Sequence, residues 1–465
     1  MKRYSVGIDP KLVCLLIAII VTTAFISGIM AKATAVIAFA VVMGLLVCVV
    51  SFANTDVALY ILVFSMLLSP EFGQRTTHGS GMTFRVDDVL IVLIGFAWLA
   101  RSALHKELGL FLKTPLNKPI FFYLAVCILS TAIGILVGNV SVQRGFFFVL
   151  KYFEYYVVYF MVVNHVRNED QIRRLVIALL LTCLVIDIIG LLQIPSGERV
   201  TAPFEGERGE PNTLGGYLVL MLAMSLSLAV YVGSFKQKAA LWILSGLSFC
   251  TLLFTQSRGS YLAFAVMYFS LMVLSKKKMF VVILVLALVS APFVAPQQVK
   301  DRVAYTFTQQ RMEGQKKIGT VTLDTSTSAR LQSWQEGWNA FLKRPIFGCG
   351  VTGYGFMDAQ LVRVLVETGI VGLFGFFILS WALLKEGWKS YQYVHSEFYK
   401  AICRGFFVGT VGMLAHSLSA NTFIIVRIME PFWCLAGIVM MSHVVEANAA
   451  HENAKDLAME RRSVV

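Results

Sequence analysis

The feature that most constrains this chain is a series of continuous apolar runs of about 15–20 residues, separated by short polar turns. Only helices and closed barrels satisfy backbone hydrogen bonds in lipid, and continuous rather than alternating runs indicate helices. A hydrophobic fraction of 57% and a mean hydropathy of +0.73 exclude a soluble globule. The sequence therefore predicts an all-α polytopic membrane protein. We count about fourteen transmembrane helices, near residues 12–29, 33–52, 57–68, 88–104, 119–137, 145–163, 175–192, 213–232, 239–255, 261–275, 279–295, 364–384, 405–420 and 431–445.

Lysine and arginine are distributed unequally between the two sides of the predicted spans. If the amino terminus is cytoplasmic, the inner segments hold about 22 of the 40 basic residues and the short outer loops about 8. We therefore expect a multi-pass protein of the cell inner membrane with both termini cytoplasmic and the first span uncleaved. Insertion and contact with anionic membrane lipids explain the net charge of +13 without a nucleic-acid partner.

The polar segment 296–363, which we call the large loop, is far longer than the other connections. In the predicted orientation it is periplasmic. The predicted organisation is transmembrane helices 1–11 in residues 1–295, the large loop in 296–363, helices 12–14 in 364–445 and a cytoplasmic tail in 446–465. Loops held by a rigid scaffold commonly carry function, so we expect the site at this loop.

Residues 326–343 of the large loop have a helical pattern, with apolar side chains such as Trp334 and Trp338 at three- and four-residue spacing. Pro345 ends the pattern. Such a helix would lie along the membrane surface or pack on the spans. The glycine-rich run that follows resembles a phosphate nest, but no strand precedes it and no Lys-Ser/Thr pair follows it, so nucleotide binding is not predicted.

No cofactor is predicted from the cysteines or histidines. Seven of the eight cysteines lie in or at spans, where they pack as small apolar residues. Cys349 alone lies in an outer loop, so it has no outer partner for an intrachain disulfide. The spacing of cysteine and histidine predicts no metal site.

Arginine at the outer mouth of a helix bundle is costly unless it meets an anionic partner. Arg258 is the sharpest case, because it lies in a short turn between two spans; a snorkelling side chain or an ion pair is the plainer alternative. Arg208 lies among three glutamates, which makes local salt bridges equally compatible. Together with Arg330 and Arg427, these arginines could converge where guanidinium groups suit a phosphate or diphosphate headgroup.

Other polar groups in the spans have plain structural explanations. Lys151 and Glu154 are three residues apart and share a helix face, which predicts an ion pair. Arg363 and Glu367, four residues apart, predict a second pair. His416 lies inside a span, where a hydrogen-bonded core histidine is the more common arrangement.

Several short segments occur in an order that resembles a known family. They are 210–217, which opens a span, 255–261 between two spans, Arg330 with Trp334, the run 344–350, and Asp358 followed by 367–372. In this order the chain resembles the O-antigen ligase/polymerase superfamily, specifically over residues 205–375 and diffusely before them.

The resemblance implies a glycosyltransferase with a C-type-like arrangement, acting in exopolysaccharide or lipopolysaccharide biosynthesis without metal or nucleotide. Its partners would be a polyprenyl (undecaprenyl) diphosphate-linked glycan donor, a glycan acceptor, membrane lipids and other polysaccharide-assembly proteins. Arginines of the family hold the diphosphate. The implied site consists of the catalytic residues Asp358 (base), Arg258 and Arg208, and the substrate-binding residues Arg330, Glu367, Arg427 and Asn212.

One departure from the family bears on the reaction. Ligase members have a His-Asn pair nine residues before their Glu-x-Gly motif, where this chain has Asp358-Ala359. The change favours a polymerase of repeat units over a ligase that transfers the glycan to lipid or protein. Asp358 could also simply cap the re-entering helix. A flippase or transporter is the alternative class, although no half-to-half similarity typical of transporters is visible.

Overall fold

The computed structural model describes residues 35–72, 84–105, 112–203, 209–294, 297, 300, 317–318, 321–322, 325–355 and 357–463. These residues form an α-helical bundle. Its helices are α1 (Ala35–Ala53), α2 (Thr55–Leu68), α3 (Val86–His105), α4 (Asn117–Leu136), α5 (Val142–His165), α6 (Glu169–Gln193), α7 (Pro211–Tyr231), α8 (Phe235–Phe254), α9 (Arg258–Ser275), α10 (Lys278–Val294), α11 (Thr325–Lys343), α12 (Gln360–Tyr393), α13 (Glu397–His416) and α14 (Val426–Ser463).

Short elements join some of these helices. Four two-residue strands form two antiparallel pairs, and 3₁₀ turns follow α6 and α13. The strands are β1 (Glu71–Phe72), β2 (Phe84–Arg85), β3 (Lys317–Ile318) and β4 (Val321–Thr322), and the turns are Ile194–Ser196 and Thr422–Ile424.

The predicted helices are present wherever the structure describes the chain. Every predicted span from 33–52 onward coincides with a helix, as does the predicted loop helix, whereas the first span, 12–29, lies outside the described residues. By length and composition, eight of the described helices could cross a membrane: α4, α5, α6, α7, α8, α9, α12 and α14. The polytopic all-α class is confirmed; the count of fourteen spans, the domain boundaries and the orientation stay predictions.

Two helices are much longer than their predicted spans. Helix α12 runs from Gln360 to Tyr393 where 364–384 was expected, and α14 continues from Val426 to Ser463 through the segment predicted as a tail. At 1.5 Å per residue, α14 would be about 57 Å long, well beyond a hydrocarbon core of about 30 Å. Length alone therefore does not define where either helix leaves the membrane.

Helices α7 and α14 lie at the centre of the bundle, with 94% and 89% of their most apolar windows buried. Glycines bring α13 close to α7. A Cβ at Gly405 would lie 2.8 Å from the sulfur of Met224, and one at Gly409 would lie 3.0 Å from Leu220 Cδ1. The small residues therefore allow the close packing that replaces hydrophobic driving force inside a membrane.

Six charged side chains form a buried group that we call the charge cluster. Arg85 Nη2 lies 2.7 Å from Asp87, 3.6 Å from Asp88 and 3.7 Å from Glu430. Lys151 pairs with Asp88 and lies 3.3 Å from Glu154, which confirms the predicted Lys151–Glu154 pair. The cluster joins β2 and the start of α3 to the middle of α5 and the start of α14. Its members are Arg85, Asp87, Asp88, Lys151, Glu154 and Glu430.

Helix α12 is broken at Gly369, whose φ of 67° and ψ of −166° are outside the helical region. The run 344–350 fits into this break. The Ile370 amide donates to the carbonyl of Pro345 at 2.9 Å, while the amides of Cys349 and Gly350 donate to the carbonyls of Val366 and Glu367 at 2.9 Å each. The backbone groups released by the kink are thus satisfied by the glycine-rich run.

Candidate functional site

The amino ends of α7 and α9 are joined by a short chain of polar side chains. Glu210 accepts a hydrogen bond from Asn212 Nδ2 at 2.6 Å, and Asn212 Oδ1 accepts one from Ser257 Oγ at 2.6 Å. Ser257 also caps α9 by accepting the Ser260 amide. Arg258 follows as the first residue of α9, and no acidic residue lies in the first turn of that helix.

This position gives Arg258 an unusual electrostatic setting. The amino end of a helix carries a partial positive charge and favours acidic side chains and anions. An arginine there adds charge of the same sign, so the two together favour an anion such as phosphate. Arg258 is itself partly exposed at this end of α9.

A buried chain of hydrogen bonds supports the turn that carries Arg258. Ser260 Oγ donates to Ser257 Oγ at 2.8 Å and lies 3.1 Å from His416 Nε2. His416 Nδ1 lies 2.8 Å from Thr422 Oγ1. The prediction that His416 is a hydrogen-bonded core histidine is confirmed, and its bonds link α9 to α13.

Two glycines allow this turn to sit against its neighbours. A Cβ at Gly215 would lie 2.1 Å from Ser260 Oγ, and one at Gly259 would lie 2.0 Å from Ser419 Oγ. A larger residue at Gly215 would have to displace Ser260, and one at Gly259 would have to displace Ser419. The packing therefore places the turn that carries Arg258 with little freedom.

Asp358 faces Arg330 from the loop that precedes α12. Arg330 Nε lies 4.0 Å from Asp358 Oδ2, and Trp334 Nε1 donates to the Asp358 carbonyl at 3.2 Å. Asn421 Nδ2 donates to the carbonyl of Met357 at 2.6 Å, which holds the residue before the acid. Helix α11 and the turn after α13 thus position Asp358 from two sides.

The structure argues against the helix-cap explanation of Asp358. The residue at the cap position of α12 is Ala359, with a φ of 91° and no side-chain capping bond. The Asp358 side chain is instead 39% exposed beside Arg330. An exposed carboxylate that the chain holds through a strained neighbour is available to a substrate.

Electrostatic interactions tie Asp358 to both helix ends. Partial burial raises the pKa of the Asp358 carboxyl above its ordinary value, the positive charge of Arg330 opposes this rise, and the negative charge of Glu210 adds to it. Glu210 also accepts a hydrogen bond from Asn212, which contacts Ser257 at the amino end of α9. Asp358, Arg330 and the amino ends of α7 and α9 therefore belong to one polar region, which we call the outer site.

Glu367 and Arg363 form the predicted ion pair and hold the glycine-rich run. Arg363 Nε donates to Glu367 Oε1 at 3.1 Å, and the Thr352 amide donates to the same oxygen at 3.0 Å. Ser130 Oγ donates to the carbonyls of Phe347 and Glu367 at 2.6 Å each. In these contacts Glu367 orients protein backbone; its predicted contact with substrate stays a prediction.

Of two further predicted arginines, Arg427 makes its described contacts elsewhere, and Arg208 is not among the described residues. Arg427 is buried, and its guanidinium donates to the carbonyls of Leu67 at 2.8 Å, Pro203 at 3.1 Å and Ser69 at 3.2 Å. These bonds join α14 to the end of α2, to the residue that follows α2 and to the loop before α7. Arg208 lies outside the described residues.

Sequence reasoning missed several residues that build the outer site. Ser257, Ser260 and Thr422 carry its hydrogen-bond network, and the charge of Glu210 acts on Asp358. Hydroxyl residues beside Arg258 were the available signal. Across the described residues, no group of three or more His, Cys, Asp or Glu side chains is arranged to hold a metal ion.

Comparison with known proteins gives one match. Residues 243–377 match the family model described as O-antigen ligase. The matched segment runs from within α8 to within α12 and includes Arg258, Arg330, Asp358 and Glu367. No curated protein matches the chain well enough to serve as a relative. The match confirms the resemblance drawn from the order of the short segments.

Proposed function

We propose that this chain, which matches the O-antigen ligase family model over residues 243–377, transfers a glycan from a polyprenyl diphosphate donor to a glycan acceptor at the outer face of the inner membrane. The family implies a glycosyl-transferring enzyme that uses lipid-linked glycans. The observation that carries the proposal is the outer site, where a partly exposed carboxylate and Arg330 lie in one polar region with the amino end of α9.

The outer site supplies a base. Asp358 would accept the proton of an acceptor hydroxyl as the oxygen attacks the anomeric carbon of the donor. Arg330, beside it, would keep part of the carboxyl population ionised by opposing the effect of burial. The proton ends on Asp358 and the new glycosidic bond forms at the acceptor oxygen.

The site also supplies positive charge for the leaving group. As the bond between the anomeric carbon and the phosphate oxygen breaks, the electron pair stays with the diphosphate. Arg258 and the amino end of α9 would stabilise this developing charge more strongly in the transition state than in the bound donor. Arg208 is proposed as a second diphosphate ligand, by resemblance to the family.

Replacement of Arg258 tests the assignment. We expect Arg258→Gln to lower glycan transfer by about 10²–10³, because a preplaced charge at the leaving group is lost. Glycan analysis of a deletion strain complemented with this variant gives the measurement. Arg173→Gln is the matched control, since Arg173 pairs on the surface with Glu169 one turn before it, far along the chain from the outer site. Wild-type glycan with Arg258→Gln would remove Arg258 from the mechanism.

We favour polymerisation of repeat units over ligation, because Asp358-Ala359 replaces the His-Asn pair of ligases. The deletion strain separates the two. Single repeat units without long chains indicate a polymerase, whereas long chains that accumulate on the carrier indicate a ligase. Repeat units retained on the cytoplasmic face would indicate a flippase and contradict the enzymatic proposal.

A further inference from the structure

A cavity lies against the carboxyl-terminal half of α11, the helix whose amino-terminal half carries Arg330. It has a volume of about 430 Å³, within the range of about 300–1,000 Å³ typical of small-molecule sites. The carboxyl-terminal half of α11, the glycine-rich run and the turn between α4 and α5 form its walls. The side chains that bear on its chemistry are Asn139, Glu336, Asn339, Lys343, Arg344 and Tyr354.

The wall formed by the glycine-rich run is held rigidly. The Val351 amide donates to Thr131 Oγ1 at 3.3 Å, in addition to the bonds that Cys349 and Gly350 make to the kink of α12. A Cβ at Gly134 would lie 2.6 Å from the Cys349 carbonyl, so α4 touches the run directly. A cavity with such a wall is preformed, which lowers the entropic cost of binding.

The lining chemistry suits an acidic sugar. Asn139 and Asn339 offer amides that can both donate to and accept from hydroxyl groups, and Tyr354 offers an aromatic ring with a hydroxyl. Lys343 and Arg344 outnumber the single acid, Glu336, so the lining has a net positive charge. Guanidinium and ammonium groups at this density favour a carboxylate or phosphate on the ligand.

The cavity lies at a fixed distance from the outer site because both use α11. Arg330 contacts Asp358 near the start of the helix, whereas Asn339 and Lys343 line the cavity near its end. With a rise of 1.5 Å per residue, Arg330 and Ala340 are about 15 Å apart along the helix axis. Asn339 lies on the opposite side of α11 from Arg330, and Ala340 lies about 80° around the helix from it, so a glycan chain whose end reaches Asp358 would pass around α11 to enter the cavity.

We infer that this cavity is a binding subsite for the acceptor glycan and that the glycan carries acidic groups. The inference rests on the proposed function, because it takes the glycan acceptor from there. It adds a second contact along the chain, remote from the reacting hydroxyl. Such a contact holds a growing chain between successive transfers and lengthens the product.

Binding to the purified full-length protein tests the inference independently of transfer. The probe is the oligosaccharide released by mild acid from the cell's own lipid-linked repeat units, in its native form and after reduction of its carboxyl groups. In saturation-transfer NMR we expect the native form to bind on the order of tenfold more tightly than the reduced form. Equal binding of the two forms, or a repeat unit without acidic groups, would overturn the acidic assignment.

Variants of the cavity complete the test. Lys343→Gln with Arg344→Gln should weaken binding of the native probe on the order of tenfold, whereas Lys236→Gln, an exposed lysine on α8, should not. Asn339→Asp, which adds one negative charge on an exposed helix face, should weaken it as well. Unchanged binding of the native probe in both cavity variants would overturn the subsite. It would also be overturned if these variants kept binding of the glycan probe and instead lost binding to vesicles of anionic lipid.

Product length distinguishes this inference from the proposed function. The cavity variants should shorten the polymer while transfer to single acceptors continues. Arg258→Gln should lower transfer by about 10²–10³ while the purified variant still binds the native probe. If Arg258→Gln transfers normally but the cavity variants lose probe binding, the subsite stands and the transfer mechanism does not.

Discussion

At the scale of single residues, the outer site places one carboxylate between charges of opposite sign. Asp358 is pushed towards its neutral form by burial and by Glu210, and towards its ionised form by Arg330. A base must be ionised to accept a proton, so these neighbours set the pH below which the site stops working. Few changes of sequence would be needed to move that limit.

The pH dependence of transfer should report this balance. Because the pKa of Asp358 is raised, we expect activity to fall as the pH drops through a value above that of an ordinary aspartate, and to be retained above it. Transfer to a defined acceptor by protein in detergent or nanodiscs, followed across pH, gives the measurement. An acidic limb at the ordinary aspartate value would contradict the assignment of Asp358 as base.

Two neighbouring charges provide matched variants with opposite effects. Arg330→Gln removes the positive charge, so the acidic limb should move to higher pH. Glu210→Gln removes the negative charge, so the limb should move to lower pH. A purely structural role for either residue would lower the rate without moving the limb, and that outcome would exclude the electrostatic interpretation.

At the scale of secondary-structure elements, two segments that carry the family resemblance, 344–350 and 367–372, are hydrogen-bonded to each other. The run 344–350 supplies the backbone groups that the broken helix α12 requires on both sides of Gly369. The glycine-rich run therefore binds protein backbone, and α12 changes direction at Gly369. This geometry brings Asp358 in front of α11.

Substitution of Gly369 tests the coupling between the two segments. A Cβ there would lie 2.2 Å from the Ile346 carbonyl, and the backbone conformation is one that side chains disfavour. We expect Gly369→Ala to destabilise the protein by about 1–3 kcal/mol, seen as a lower unfolding temperature in detergent. Gly246→Ala on α8, where nothing lies within 4 Å, is the control. Equal stability of the two variants would mean that the kink is not under steric constraint.

At the scale of the whole molecule, the charge cluster connects helices that are distant in sequence. Lys151 of α5 pairs with Asp88 of α3 and Glu154, while Arg85 approaches Glu430 of α14. Four carboxylates and two cations share one buried region, in which each charge depends on its neighbours for compensation.

Removal of one cation from the charge cluster should therefore lower the free energy of unfolding by more than the loss of an ion pair on the surface. We expect Lys151→Met to destabilise the protein by about 3–5 kcal/mol, because Asp88 and Glu154 remain buried without it. Lys151→Met combined with Asp88→Asn should recover part of this loss, since one of the uncompensated charges is also removed. Thermal unfolding of the purified variants gives the measurement, and Lys236→Met on the surface is the control. A strictly additive double variant would contradict the coupling.

More of the fold than of the candidate site could be predicted from the sequence. Lipid requires long apolar helices, so the predicted spans coincide with helices from 33–52 onward. Pairs within one helix, such as Lys151 with Glu154, follow from spacing. Contacts between helices do not, which is why Glu430 in the charge cluster, the pairing of 344–350 with α12 and the carbonyl contacts of Arg427 were not anticipated.

The position of Glu430 and Arg427 on the last described helix bears on how the chain is assembled in the cell. Arg85, α3 and α5 are synthesised long before α14, and their cluster charges then lack one of the carboxylates they meet in the finished bundle. The loop carbonyls that Arg427 will bind are open during the same interval. We expect insertion of α14 to be the step that locks the bundle, so that a chain terminated before Val426 is degraded by membrane proteases even though every earlier helix has been inserted.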